Sequence, residues 1–506
     1  MWWASIPKNM KIKASFLLLI LGLLFGSSSL LLFIFNPLDL LIEKVLEIKP
    51  NSFAFELWKN PPYEVMIKAY IFNVTNGRAF LDGEEKLVLN EVGPYVYKEM
   101  VFNTNISFNE NGTLSFIGRR AIKLVPGLSV GDPSKDTLLL PNVPLLGAVS
   151  AMVDQSFFVK LAVGQLSLLV SAKEFLNLTV DEYLFGYNDN LITLASQFLP
   201  NWIDFSRFGI ADRIIALDNA SNIASTVLQP EKFADIGKYS LIEFRGSPHL
   251  EEWSNIGHNS TCGLIKGAYL NMIFPPNLPE GCNLVLYRSG FCRPIPIRYN
   301  HTDTKKYGYK TYTFTINDNF LATDDPDNHC YCRKWPCIRK GVGDISPCYY
   351  GIPLTISQPH FLNADPKLLQ EIGGLSPDPQ KHSFYIVIHP ESGLTLEAKF
   401  RLQLNLNVPN TSFNYRTRPF NDLVLPLLWF ELSIDGPPTI IKIAIQLLYV
   451  ILPTVQNIFK VIFALLGIAS PMVAAWIYFS EAHSERKYHK LNVVQGNGIG
   501  KIVSKG

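Results

Sequence analysis

The stretch Phe16-Leu17-Leu18-Leu19-Ile20-Leu21-Gly22-Leu23-Leu24-Phe25-Gly26-Ser27-Ser28-Ser29-Leu30-Leu31-Leu32-Phe33-Ile34-Phe35 carries no charge and few polar groups. About twenty apolar residues in helical form cross the hydrocarbon core of a bilayer. A cleaved signal peptide has a shorter apolar region, about 7–15 residues, that ends in small residues. Ser27, Ser28 and Ser29 supply the small residues, but Leu30–Phe35 continues the apolar run. The stretch therefore reads as an uncleaved anchor, a transmembrane helix over 14–35. A second uncharged run, Val461–Phe479, lies near the other end. Lys460 stands at its edge, where a long stem lets the ammonium snorkel to the headgroups, and the second span is placed at 460–479. Gly22 with Gly26, and Ser470 with Ala474, form small-x-x-x-small pairs of the kind that let helices pack closely. Ordinary glycine usage in a span accounts for them equally well.

Charge sets the orientation. Lys8, Lys11 and Lys13 precede the first span, and Arg486, Lys487, Lys490, Lys501 and Lys505 follow the second. Cytosolic flanks carry the excess of Lys and Arg, so residues 1–13 and 480–506 read as cytosolic tails. Each tail holds +3, against a net charge of +2 for the whole chain, which leaves −4 between the two tails. That mildly acidic balance gives no support to steering of anionic ligands by the overall field. No basic run suggests nucleic acid.

Residues 36–459 are then an ectodomain. Acceptor sequons at Asn73, Asn105, Asn111, Asn177, Asn219, Asn259, Asn300 and Asn410 all fall there, and eight in one compartment indicate a glycosylated face. All seven cysteines lie between Cys262 and Cys348, where an oxidising compartment favours disulfides. Cys330-x-Cys332-x4-Cys337-x10-Cys348 also admits a zinc reading with thiolate ligands. Six cysteines allow fifteen pairings, and spacing does not choose among them.

No linker, repeat or low-complexity tract divides the ectodomain, so it reads as one domain. Leu394, Leu396, Ala398, Phe400, Leu402, Leu404, Leu406 and Val408 alternate with polar residues, the period of a half-buried strand. Phe384–His389 reads as its hairpin partner across Pro390-Glu391-Ser392-Gly393, and Tyr307–Ile316 as a further strand. Leu145, Val149, Met152, Val153 and Val159 follow helix spacing. Ser171–Glu174 and Thr179–Glu182 both fit a capping box. Asp365-Pro366 opens a short helix closed by Gly373-Gly374. The pattern predicts an α+β chain, β-rich with inserted helices.

Signatures of chemistry are missing. There is no Gly-x-Ser-x-Gly elbow, no His-Glu-x-x-His and no Walker loop. Gly496-Asn497-Gly498-Ile499-Gly500 follows no strand. The nine histidines are scattered without ligand spacing. The chain reads as no enzyme, with no cofactor, metal or catalytic residue.

Several stretches together resemble the class B scavenger receptor family, which includes lysosomal integral membrane proteins and insect sensory neuron membrane proteins. They are Tyr70–Asn76, Phe80, Gly83-Glu84, Glu91–Tyr97, Cys262, Gly267, Phe274-Pro275-Pro276, Cys292–Ile295, Cys330-Tyr331-Cys332, Ile345–Cys348 and Pro359–Asp365. The likeness runs over nearly the whole chain and agrees with the two-anchor topology.

The resemblance implies a β-rich, barrel-like ectodomain with a helical apical cap, here about 147–198, and a lipid-carrying tunnel. It implies partners among lipoproteins, fatty acids, sterol esters, carotenoids or similar lipids, at the plasma membrane or in the endosome/lysosome membrane, where one member type sorts a cargo enzyme. Association with further copies of the chain stays open. In the disulfide region, 262–348, it implies Cys262–Cys330, Cys292–Cys348 and Cys332–Cys337, with Cys282 odd. The chain departs from the family in two respects. Only Lys160 and Lys173 flank the link Gly164–Ser171, so the expected ligand-binding apex is apolar: Phe158, Leu161, Leu166, Leu168, Leu169 and Val170. The tails also lack cysteine, which excludes tail palmitoylation. Tyr488 and Leu491 fit a tyrosine-x-x-apolar sorting pattern. Ile440–Leu452, apolar apart from Lys442 and Gln446, reads as a stretch against the outer leaflet.

Overall fold

The computed structural model describes residues 7–198, 203–219, 222–233, 236–256, 262–270 and 273–499. In chain order its helices are α1 (Lys8–Phe35), α2 (Pro37–Leu46), α3 (Phe53–Lys59), α4 (Gly77–Leu81), α5 (Val143–Ala151), α6 (Phe157–Leu169), α7 (Val180–Phe185), α8 (Asn190–Phe198), α9 (Ile210–Asn219), α10 (Lys367–Glu371), α11 (Pro379–His382), α12 (Thr439–Gln446) and α13 (Leu452–Ile499). The strands are β1 (Val65–Val74), β2 (Leu89–Phe108), β3 (Thr113–Leu124), β4 (Thr137–Pro141), β5 (Phe175–Thr179), β6 (Ala224–Val227), β7 (Leu241–Phe244), β8 (Asn283–Leu286), β9 (Ile295–Asp303), β10 (Thr311–Ile316), β11 (Val342–Asp344), β12 (Leu354–Ser357), β13 (Tyr385–His389), β14 (Leu394–Val408) and β15 (Leu423–Ile434). The chain divides into two units, one of Met1–Glu47 with Thr439–Gly506 and one of Ile48–Pro438.

In the first unit α1 and α13 are each long and apolar enough to cross a membrane. Both outrun their apolar segments, because the flanking Lys, Glu and Arg residues are good helix formers. Glycine lets the two helices meet. A Cβ on Gly22 would stand 2.6 Å from the Pro471 ring, and one on Gly467 would stand 2.9 Å from the Gly26 backbone. Ala474 is buried at the same contact face. Polar groups fasten the pair: Ser29 Oγ donates to the Lys460 carbonyl at 3.0 Å, Gln456 Nε2 to Asn36 Oδ1 at 2.6 Å, and Lys11 pairs with Glu481. Phe25 and Phe463 lie 5.6 Å apart by ring centroid, so Phe25→Cys with Phe463→Cys should oxidise to a cross-link in membranes. Adding Gly467→Leu should abolish that cross-link on a non-reducing gel; an undiminished band would refute the glycine contact. Over Ile440–Leu452 the chain is helical.

The second unit is built on a 13-stranded antiparallel sheet in the order β7-β6-β3-β2-β1-β15-β14-β13-β10-β9-β8, with β12 and β11 branching from β14. The short stretch Gly267–Tyr269 bonds to both ends of that path. Leu241 N–H donates to Ala268 O at 2.7 Å, Tyr269 N–H to Val285 O at 2.7 Å, and Tyr287 N–H to Tyr269 O at 3.0 Å. The central hairpin β13–β14 turns at Gly393 with φ +71°, where a Cβ would strike the Phe274 carbonyl at 2.1 Å. Along β14, Leu396, Leu402, Leu404, Leu406 and Val408 are buried. Burial of each such side chain is worth about 1.5–3 kcal/mol.

The polar side of β14 is not the solvated face that alternation predicts. Thr395, Glu397, Arg401, Gln403 and Asn405 are buried too. Ser357 at the end of β12 and His360 just after it supply partners for two of them: His360 N–H donates to Gln403 Oε1 at 2.7 Å, and Asn405 Nδ2 to Ser357 Oγ at 3.1 Å. Arg401 Nε donates to Glu431 Oε2 at 2.6 Å. Buried polar groups are tolerated when satisfied in this way.

Between Val143 and Phe198 two expectations are corrected. Thr179 and Glu182 do form a capping box, but Ser171 sits at φ +51° and Glu174 pairs with Arg416 at 3.0 Å, so no helix starts there. The strand β5 follows instead. The stretch 164–170 is also no link between helices. The helix α6 runs through Gly164 and closes at Val170. Ser167 is accommodated by bonding back to the Gly164 carbonyl at 2.7 Å. Tyr307–Lys310 precedes β10 and is not part of the strand.

Candidate functional site

Period-two alternation aims one side of the sheet at an interior. Ile67 and Ala69 of β1, Tyr97, Glu99 and Val101 of β2, Ala398 and Phe400 of β14, and Leu428, Phe430 and Leu432 of β15 line it. Three cavities occupy that interior. The first holds about 950 Å³ of empty space, the second about 610 Å³ and the third about 390 Å³, counting the parts open to solvent. Arg288, Phe291 and Leu432 line both the first and the second. Ile210 and Ile214 of α9 line both the second and the third. Their walls, which include Tyr63 in the first and Val143 in the third, are mostly aliphatic and aromatic. Sites for small apolar ligands have walls of this character.

An ionic cluster interrupts the apolar wall at the first two cavities. Glu99 is buried, at 3% exposure, and its Oε1 accepts from Arg288 Nη2 at 2.8 Å and from Arg120 Nη1 at 3.1 Å. Burial pushes the Glu99 carboxyl up, but the two guanidinium groups outweigh it and hold the carboxyl below its usual range. Sequence reading missed all three residues. They lie on β2, on β3 and just after β8, and nothing local links them.

The opposite side of the sheet holds a second cluster that sequence reading missed. Glu91 Oε2 accepts from His360 Nε2 and Trp429 Nε1, both at 2.6 Å, and His382 stacks on His360. Glu91, His360 and His382 place ligand-type atoms within 4.8 Å of one another. The hydrogen bonds argue against a metal there. Ser376 N–H donates to His360 Nδ1 at 3.1 Å and Asp378 N–H to His382 Nδ1 at 2.9 Å. Each neutral ring therefore carries its proton on Nε2, which leaves no lone pair there for a cation. Burial is the main reason His382 is pushed down to about 4, with the neighbouring His360 adding to it.

The residues expected at the apex divide in two. Phe158, Leu161, Leu168 and Leu169 are exposed, Leu169 at 81%. Leu166, together with Val163 and Val170, packs against the small core of Leu145, Val149, Ala172 and Leu191. Phe157 is exposed beside Phe158. Disulfides join Cys262 to Cys330, Cys292 to Cys348 and Cys332 to Cys337, and Cys282 is in none. Of the sequons, Asn105, Asn111, Asn177, Asn300 and Asn410 are exposed. Asn73 is half-buried on β1, where its Oδ1 accepts from Leu139 N–H at 2.9 Å. Asn259 lies outside the described residues, as does the side chain of Asn219. The backbone of Tyr488 and Leu491 belongs to α13, but their side chains are outside the described set.

A family model for the CD36 family matches residues 15–478. The chain is similar to scavenger receptor class B member 1 of Rattus norvegicus, 31% identical over 479 residues, covering 92% of this chain and 89% of that one. It is 32% identical over 423 residues to the Mus musculus protein of the same name, covering 82% and 79%. Lysosome membrane protein 2 of Rattus norvegicus is 31% identical over 447 residues, covering 87% and 89%.

Proposed function

The chain belongs to the CD36 family, and from that premise we propose that it is a membrane-anchored scavenger-type receptor, not an enzyme, that binds lipids or lipoproteins and passes lipid through its interior to the membrane. Three mostly apolar cavities in the sheet unit, with lining residues shared from each to the next, are the observation that carries this reading. A lipid tail gains about 0.8 kcal/mol per buried methylene, so transfer through water is slow and a continuous apolar path removes the barrier. The reading includes a barrel-like sheet, which the bonds from Gly267–Tyr269 to both ends of the strand path support. It also includes a helical cap of α5 to α8. Docking falls to the exposed apolar side of α6, because a solvated helix with Phe157, Phe158, Leu161, Leu168 and Leu169 outward has the composition of a contact surface. Lipoproteins and lipids such as fatty acids, sterol esters or carotenoids are the partners.

The likeness to a lysosome membrane protein supports a second reading, a cargo-sorting or adhesion receptor of the endosome/lysosome membrane rather than a lipid receptor of the plasma membrane. Two substitutions separate the readings. Leu432→Trp puts a large side chain where the first two cavities meet, and Leu168→Asp with Leu169→Asp makes the α6 surface acidic. Both variants are expected to reach the cell surface in normal amount and to take up labelled lipid several-fold more slowly than the unsubstituted chain. Normal uptake by Leu432→Trp would end the internal-path reading. Normal uptake by the α6 variant would remove that surface from docking.

A further inference from the structure

Building on the lipid-carrying reading, we propose that Arg288 is a specificity-determining residue: with Arg120 it engages the anionic head of an amphipathic lipid whose tail lies in the apolar cavities, and it favours that lipid over an uncharged ester of the same tail. Three observations carry the assignment. Arg288 lines both the first and the second cavity, so a lipid moving between them passes this residue. The other residues shared by the two cavities, Phe291 and Leu432, are apolar and offer a head group nothing. Arg288 and Arg120 also converge on a single oxygen of Glu99, at 2.8 and 3.1 Å, which is the geometry an incoming carboxylate or phosphate would use.

A guanidinium presents five N–H donors in a rigid fork that matches a carboxylate or phosphate. Charge-assisted bonds of this kind are strengthened in an enclosed, low-dielectric space. An ester head accepts more weakly and brings no charge. Glu99 plays the opposite part to the arginines. Its carboxylate occupies the same donors and competes with the lipid head. The proposal therefore predicts effects of opposite sign at two positions in direct contact, whereas a purely structural ion cluster would weaken with either substitution.

The test uses the full chain in detergent, with pyrene-labelled hexadecanoic acid and its methyl ester as probes, and reads the ratio of the two affinities. A hexadecyl phosphate competitor distinguishes a phosphate head from a carboxylate head. The wild type should prefer the acid. Arg288→Met should reduce that preference about tenfold, the size of one charge-assisted contact. Glu99→Gln should increase it. Arg288→Lys keeps the charge but loses the fork and should fall between wild type and Arg288→Met; it carries the test if the methionine variant does not fold. A ratio that is unchanged, or that moves the same way in Arg288→Met and Glu99→Gln, overturns the proposal while leaving the lipid-carrying reading intact. A wild-type chain that binds neither probe overturns both.

Discussion

Replacing Cys292 and Cys348 together by alanine is expected to destabilise the sheet unit by about 4 kcal/mol and to hold the chain in the early secretory pathway. The bridge closes a loop with a sequence separation of 56. A loop of that length restricts the unfolded chain by about 4 kcal/mol in the chain-entropy account. Whole domains are stable by only about 5–15 kcal/mol, so the loss is a large share. Packing adds to it. The indole of Trp253, fully buried, donates to the Cys292 carbonyl at 2.6 Å and sets its ring edge-on to Tyr331, the neighbour of Cys330. Two long-range bridges thus meet around one aromatic pair, with the guanidinium of Arg293 3.7 Å over the Tyr331 ring. The bridge Cys332–Cys337 spans a separation of only 5, which the same relation values at about 2 kcal/mol. Its double alanine variant should still reach the surface. Endoglycosidase H sensitivity and surface biotinylation read both outcomes, and mature glycans on the Cys292→Ala, Cys348→Ala variant would contradict the argument.

Features encoded in contiguous residues were legible before any coordinates. Two uncharged runs correspond to α1 and α13, and the alternation from Leu394 to Val408 corresponds to β14 with its hairpin partner β13. What local pattern could not carry was tertiary cover. Gln403 and Asn405 look like solvent-facing residues, and they are buried because the chain near Ser357 and His360 folds over them. The family resemblance places a link at Gly164–Ser171, yet packing of Val163 and Leu166 onto a small core keeps α6 continuous. The likeness quoted from Glu91–Tyr97 and Pro359–Asp365 included both Glu91 and His360 without relating them. They are 269 positions apart, and only the sheet brings them to 2.6 Å. The same holds for Glu99 and Arg288, 189 positions apart. Cavities are the extreme case, since each wall draws single residues from many elements.

Acidification from pH 6.5 to 4 is expected to remove about 5 kcal/mol of stability from the sheet unit, chiefly through His382 and His389. Burial pushes His389 down to about 4, and burial with the nearby His360 does the same for His382. An unfolded histidine titrates near 6.5. The folded values are depressed, so between pH 6.5 and 4 the unfolded chain binds more protons, and stability must fall as pH falls. Each histidine contributes up to about 1.4 kcal/mol per pH unit across that window, or about half of the total. Geometry gives the reason that neither ring charges readily. His382 Nδ1 accepts from Asp378 N–H at 2.9 Å and His389 Nδ1 from Ser392 N–H at 3.3 Å, so a proton on either nitrogen breaks a backbone hydrogen bond. The paired carboxylates do not share this window. Burial raises Glu91, Glu99, Glu397 and Glu431, but hydrogen bonds and neighbouring cations outweigh it and hold them below the usual range. Their contribution is present above about pH 4.3 and is lost only as pH falls through the depressed values. Asp189 and Glu391, raised by burial, oppose the trend only near their own titrations. His382→Asn with His389→Asn keeps an acceptor near each Nδ1 position and removes both titrations. Urea unfolding of the full chain between pH 4 and 7 should give a steep loss for wild type and a much flatter profile for the double variant. Equal slopes would show that these two histidines do not set the acid response of the fold.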